Sequence, residues 1–312
     1  HSTLLYRMLF SFRMPLFMFT SGFLLVLTTS LRPRSWNEFA LGKVKRLLIP
    51  FITLTAVVFI PRAAMSSLAD DAIELSPARF VRAFLYTDDL VIPYLWFLHS
   101  SFTMLLLVYA VVAFGRVRGI APRFYLPALA TLFALLPLMP LAGSSFFSIG
   151  ETVRLGFYFV LGTIYAQWHR QIDKAIPWEH PATFITAAAV WVALFFIRDS
   201  WGYAAGLCCS TAGIMMTISL AKIIEKRHLT FLDHLQGANY MIFLLSWFFN
   251  VAAQQVLAHY VSLPWYVHTV LSLLMGIYVP WLFYRYMIKH PDSRTMRSCA
   301  FFLGQSVRKK TG

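Results

Sequence analysis

The chain has 312 residues, of which 59% are hydrophobic and 13% charged, with 29 Phe, 14 Tyr and 9 Trp and a formal net charge of +14. That composition is too apolar for a soluble domain and marks an integral membrane protein. With no internal repeat or low-complexity tract it excludes a solenoid, a fibre or a disordered tail, and the spacing of Cys208, Cys209 and Cys299 excludes a zinc or disulfide framework.

Apolar runs long enough to cross a bilayer as helices predict spans over 8–28, 47–61, 94–114, 124–142, 152–168, 182–197, 203–221, 239–258 and 265–284. The predicted fold is an all-α, polytopic membrane helix bundle with these nine spans. The second ends at Ile60-Pro61 and the fourth contains Pro127, Pro137 and Pro140, so both are expected to kink or turn back within the bilayer. Between the second and third, Ser76-Pro77 reads as an N-cap followed by Pro at the first helical position, opening a short helix through Arg79–Phe84. That connection is either a solvated loop or a lid over a glycan site. Residues 1–290 read as one transmembrane domain and 291–312 as a basic tail.

The positive charge is distributed by topology. Of 27 Lys and Arg, 20 fall on one side: Arg32, Arg34, Lys43, Lys45 and Arg46; Arg116, Arg118 and Arg123; Arg170 and Lys174; Lys222, Lys226 and Arg227; and seven from Arg285 onward. By the positive-inside rule that side is cytoplasmic, and anionic membrane lipid accounts for the excess, so nucleic acid is not the expected partner. This orientation puts the residues before the first span outside. Because the sequence starts with His1, one further helix is expected upstream, which would make ten spans with both termini in the cytoplasm.

Three stretches carry a resemblance. Phe12-Arg13-Met14-Pro15-Leu16-Phe17-Met18-Phe19-Thr20-Ser21-Gly22-Phe23, Lys43-Val44-Lys45-Arg46-Leu47-Leu48-Ile49-Pro50-Phe51 and Tyr94-Leu95-Trp96-Phe97-Leu98 resemble, in order and spacing, the motifs of the type-3 membrane acyltransferase family. Phe157–Gly162 and Gly237–Trp247 are weaker echoes, with Ser246 standing where the family commonly has His. The resemblance implies a multi-pass protein of the bacterial inner membrane. It also implies transfer of an acyl group, usually acetyl from cytoplasmic acetyl-CoA, to a hydroxyl of an extracytoplasmic carbohydrate.

Such a reaction needs a base, because a sugar hydroxyl is a poor nucleophile towards a thioester. The family has a His near the end of its first helix, and the resemblance gives that place to His1 or else leaves it to a segment upstream. No metal or redox cofactor is expected. Lys43 and Arg46 are either a positive-inside cluster or, as the resemblance implies, the grip on the phosphates of the acyl-CoA donor, sharing a face if the third helix begins before them. Arg13 stands where the family has His, and either orients the acceptor or snorkels to the interface. Glu151 and Arg154 read as a local ion pair or as acceptor ligands, and Trp96 as an interfacial aromatic or a lining residue of the acceptor site. His99 reads as a satisfied bundle histidine. The rival class is a transporter or flippase exporting a glycan, against which stand the lack of a repeat and of charge in the span centres.

Overall fold

A computed structural model describes residues 4–31, 35–64, 76–228, 230–260 and 264–305. Among these the secondary structure is helical, apart from an isolated antiparallel bridge between Tyr86 and Phe146. The chain falls into two compact units, His1–His228 and Leu229–Gly312.

In the first unit α1 (Leu4–Leu31) is the central element, packed against α7 (Ile149–Ala175) and α8 (Pro181–Lys226). Its hydroxyls are satisfied within the helix: Thr20, Ser21 and Thr29 each donate to a carbonyl oxygen four residues back, at 2.8, 2.9 and 2.7 Å. An apolar segment can carry them for that reason. The crossing of α1 and α7 is close because glycines meet backbone. A Cβ at Gly22 would strike the carbonyl oxygen of Phe159, and one at Gly162 would strike that of Phe19. Small residues at a helix crossing are the usual membrane solution, since lipid offers no hydrophobic drive to bring helices together.

The chain next runs through α2 (Trp36–Lys43), a π-helical turn (Val44–Leu48) and α3 (Ile49–Ala64) without a break. Ser35 and Glu38 start α2 as a capping box, with contacts of 3.3 and 3.4 Å. The short helix expected after Ser76 is present as α4 (Pro77–Leu85), and Ser76 Oγ accepts from the Arg79 N–H at 3.2 Å. Its apolar side lies on α3, where Phe80 meets Phe59 at 5.4 Å and Phe84 meets Phe51 at 5.2 Å. Arg79 and Arg82 both bind Asp89, so the helix is tied to the turn that follows it.

α5 (Trp96–Val117) leads to α6 (Pro122–Leu135), which stops early. Pro137 and Pro140 then lie in 3₁₀ turns, and residues 144–148 turn back against 85–87. The Thr87 N–H donates to Ser145 O at 2.8 Å, and the Phe147 N–H donates to Leu85 O at 2.5 Å. The two irregular segments thereby satisfy one another's backbone, as non-helical chain inside a membrane protein must.

Among the described residues five helices are long and apolar enough to cross a membrane: Tyr6–Thr29, Pro93–Val117, Pro181–Lys226, Asn239–Leu257 and Tyr266–Lys289. The other expected spans fall short of that description for visible reasons. α3 has 16 residues and α6 has 14, while α7 carries Glu151, Arg154, Arg170, Asp173 and Lys174. Conversely, the 46 residues of α8 are about twice a span in length. They break at Gly202, whose φ of 69° and ψ of −149° no other residue adopts readily, so two expected spans are joined through one distorted residue.

In the second unit α9 (Asn239–Tyr260) and α10 (Trp265–Lys289) form an antiparallel pair. The expected tail contains α11 (Arg294–Phe302), whose Ala300 is buried with Met241 and Met287.

Candidate active site

The three motif stretches meet. Phe17 of the first lies edge-on to Phe97 of the third at 5.7 Å, and Phe51 of the second stacks at 4.0 Å on His99, just beyond the third. α5 therefore begins beside the middle of α1, not at its end, and α3 continues well past the contact. Trp96, expected at the outer end of a span, is the first residue of α5, half-buried and edge-on to Phe97 at 6.1 Å.

His99 is fully buried there. Its ring lies between Phe51 and Phe147, at 4.0 and 4.2 Å, with the edge of Phe84 at 5.4 Å. Nδ1 is 3.4 Å from Ser148 Oγ, and Nε2 has no hydrogen-bond partner. The protons can be counted along this chain. Thr87 Oγ1 reaches the Ser145 carbonyl oxygen at 3.0 Å and Ser148 Oγ at 3.1 Å. A carbonyl only accepts and a hydroxyl has one proton to give, so for all contacts to be hydrogen bonds Ser148 donates to Thr87 and His99 Nδ1–H donates to Ser148. Nε2 is then left with its lone pair, the form of a base.

Backbone strain holds this geometry. Phe147 and Ser148, neither of them glycine, have φ of 47° and 54° in succession. Such residues cost about 1–3 kcal/mol each and persist where their surroundings over-determine them. Here Ser148 O accepts from Ser100 Oγ at 3.3 Å and from Thr152 Oγ1 at 2.8 Å, while Ser148 itself is fully buried. Ser101 Oγ is a second buried group without a partner.

Further along the same elements lies the basic turn. Lys43 closes α2 with Nζ 4.9 Å over the Phe39 ring, and Phe39 stacks on Tyr109 of α5 at 3.9 Å and 11°. Arg46 lies in the π-helical turn and is exposed. The shared face expected of these two cations assumed an α-helix running through them. The chain is helical through both residues, with a π-helical turn at Arg46, and such turns recur at functional positions. Tyr109 also lines a small pocket of about 40 Å³ between α1, α5, α6 and α7, with Thr29, Arg116, Tyr125 and Gln167. From His99 to Tyr109 is about 15 Å along α5. The basic turn and the buried histidine thus lie at two levels of one helix pair.

A family model described as "Acyltransferase domain", that of type-3 acyltransferases, matches residues 1–285. The chain belongs to this acyltransferase family. No curated protein and no solved structure matches it. With its apolar helices, the acyltransferase is a multi-pass membrane protein.

The residues singled out in the acyltransferase sequence are distributed as follows. His1 lies outside the described residues. Glu151 and Arg154 form the local ion pair expected of them, at 3.0 Å, on the turn of α7 that follows Ser148. Arg13 is exposed on α1, its guanidinium 4.9 Å over Phe10, and no ion pair joins it to Glu151. The histidine read as satisfied is satisfied on one nitrogen only. Its neighbour in the adjacent motif was a signal for it, whereas Ser148 had none, because its role depends on a left-handed backbone that no pattern announces.

Proposed function

We propose that the protein is an O-acyltransferase of the bacterial inner membrane, moving acetyl from cytoplasmic acetyl-CoA to a hydroxyl of an extracytoplasmic carbohydrate. Its topology in this reading is the nine spans expected from the sequence. The observation that carries the proposal beyond the family is the convergence of three motifs on a buried histidine with an unmatched nitrogen. Donor phosphates are held at Lys43 and Arg46, Arg offering the bidentate fork. Trp96, Arg13, Glu151 and Arg154 are read as contacts of the acceptor.

A histidine takes the hydroxyl proton as the oxygen attacks the thioester carbonyl, and coenzyme A leaves as its thiol. Thioester to ester needs no metal or redox partner. The resemblance gives the base to His1, and the proton count at Ser148 favours His99. His99 is enclosed by Phe51, Phe84 and Phe147, and in this reading α4 moves with Phe84 to let a hydroxyl reach Nε2, which gives that short helix the role of a lid.

The test is acetyl-CoA binding to the purified protein by thermal shift, together with transfer assays, in wild type and Arg46→Ala. Binding to the folded state raises its apparent stability by mass action. The expected result is a shift and turnover in wild type, both lost in a variant that still reaches the membrane. Undiminished turnover in Arg46→Ala removes the donor site. Absence of any shift in folded wild type turns the reading towards a glycan exporter.

A further inference from the structure

An open basin of about 830 Å³ lies between the end of α7, the turn at 176–180 and the end of α8. Its size is that of a small-molecule site, and it is separate from the residues assigned above. Lys174, Lys222, Lys226 and Arg227 line it, against the carboxylates of Asp173 and Glu179. All four cations belong to connections that the charge distribution assigns to the cytoplasm.

The pairing inside the basin is uneven. Lys222 is 3.4 Å from Asp173 and 3.7 Å from Glu225, and Lys226 is 2.7 Å from Glu179. Asp173 is further occupied by the Tyr165 hydroxyl, which donates to it at 2.7 Å. Among the described residues Lys174 and Arg227 reach no carboxylate. Cations at helix C-termini are ordinary complements of the helix dipole, but two of them facing one open basin without counter-ions leave an excess of positive charge there. Beside them Trp178 is 4% exposed, and its indole N–H is a buried donor without an acceptor. The turn carrying Trp178 is fixed in advance. Ser219 Oγ donates to Trp178 O at 2.6 Å, and Thr183 Oγ1 donates to Pro177 O at 2.8 Å.

We propose that this basin binds a phosphate-bearing anion, with Lys174 and Arg227 as its charged ligands. The guanidinium suits the group because its fork matches two phosphate oxygens, and the lysine adds a second charge. Trp178 contributes the remaining donor when the ligand settles onto the turn. Phosphate of this kind comes either from a soluble nucleotide or from the headgroup of an anionic phospholipid.

The full chain in phosphatidylcholine nanodiscs separates the two sources. Adenosine 3′,5′-bisphosphate, which has no thioester, is titrated by calorimetry, and thermal stability is compared with nanodiscs containing phosphatidylglycerol. Wild type is expected to bind one of these probes. The double substitution Lys174→Gln with Arg227→Gln is expected to weaken that binding by about tenfold or more, while Lys174→Arg with Arg227→Lys restores most of it. A bisphosphate response that the neutralised variant loses assigns a nucleotide to the basin, and a phosphatidylglycerol response alone that it loses assigns a lipid. If neither probe binds folded wild type, or the neutralised variant binds as well as wild type, the basin is not an anion site. Acyl transfer is not read in this experiment, so its failure leaves the reaction proposed above untouched.

Discussion

The chamber around His99 and the basin at the end of α8 sit on the same helix, α7, and treat polar groups in opposite ways. The chamber is closed and uncharged. Thr87, Ser148 and His99 are tied into one chain of hydrogen bonds, and the lone pair at its end is isolated by aromatic rings. The basin is open and charged, and its carboxylates are already taken by neighbouring lysines. A group in low dielectric must be matched by geometry, because each unmatched one is costly. A group facing water can remain unmatched until a ligand arrives. The difference teaches that one nitrogen is informative in the first setting, whereas only an excess of charge is informative in the second.

The sharpest way to break this comparison is to remove the nitrogen. His99→Gln keeps a polar side chain of similar reach and removes the titratable ring, and transfer is expected to fall by about 10²–10⁴-fold, the usual contribution of a general base. Anion binding in the basin should not change. Turnover near the wild-type rate in a folded His99→Gln protein would return the base to His1, for which His1→Ala is the matching measurement.

A change that affects both regions at once comes next. Gly162→Leu puts a side chain into the carbonyl oxygen of Phe19 and forces α7 off α1. Overpacking of this kind costs about 1–3 kcal/mol, and more where backbone cannot give. Because Ser148 precedes α7 and Lys174 lies near its end, transfer and basin binding should decline together with the melting temperature. If Gly162→Leu melts as wild type does, the α1–α7 crossing is looser than described.

Much of this was legible in the sequence, in an uneven way. Helix positions followed from apolar length, and the helix after Ser76 and the ion pair of Glu151 with Arg154 followed from local rules, which depend on residues three or four apart. The motifs pointed to the right helices but not to their meeting, because Phe17, Phe51 and Phe97 are joined only by tertiary packing. Trp96 was expected at the end of a span, and it opens α5. The nine expected spans came from apolar length, which reads the apolar part of α3 and α6 but not where each helix stops. Ser148 was out of reach for a different reason. A left-handed serine is selected by what surrounds it, here Ser100 and Thr152, of which only the second is near it in the chain.

The smallest expected effect concerns the lid and sharpens the contrast at one edge of the chamber. Asp89 lies outside the spans and holds Arg79 and Arg82. Burial alone would raise its carboxyl pKa, but the hydrogen bonds and charges of Arg79 and Arg82 outweigh this and hold it below the usual carboxylate range. Its folded pKa is thus lower than its unfolded one. The stabilisation it gives α4 is complete above the ordinary carboxylate pKa of about 4 and disappears only as pH falls through the lower folded value. With both arginines partly exposed, the contribution is about 1 kcal/mol. Asp89→Asn should therefore speed amide hydrogen exchange at Phe80–Leu85 severalfold at pH 7, by the same factor at pH 5, and lose its distinction from wild type only in stronger acid. Transfer would change little, or rise if lid opening limits it. Protection that fades in wild type between pH 7 and 5 would mean that another group, not Asp89, fastens the helix over His99.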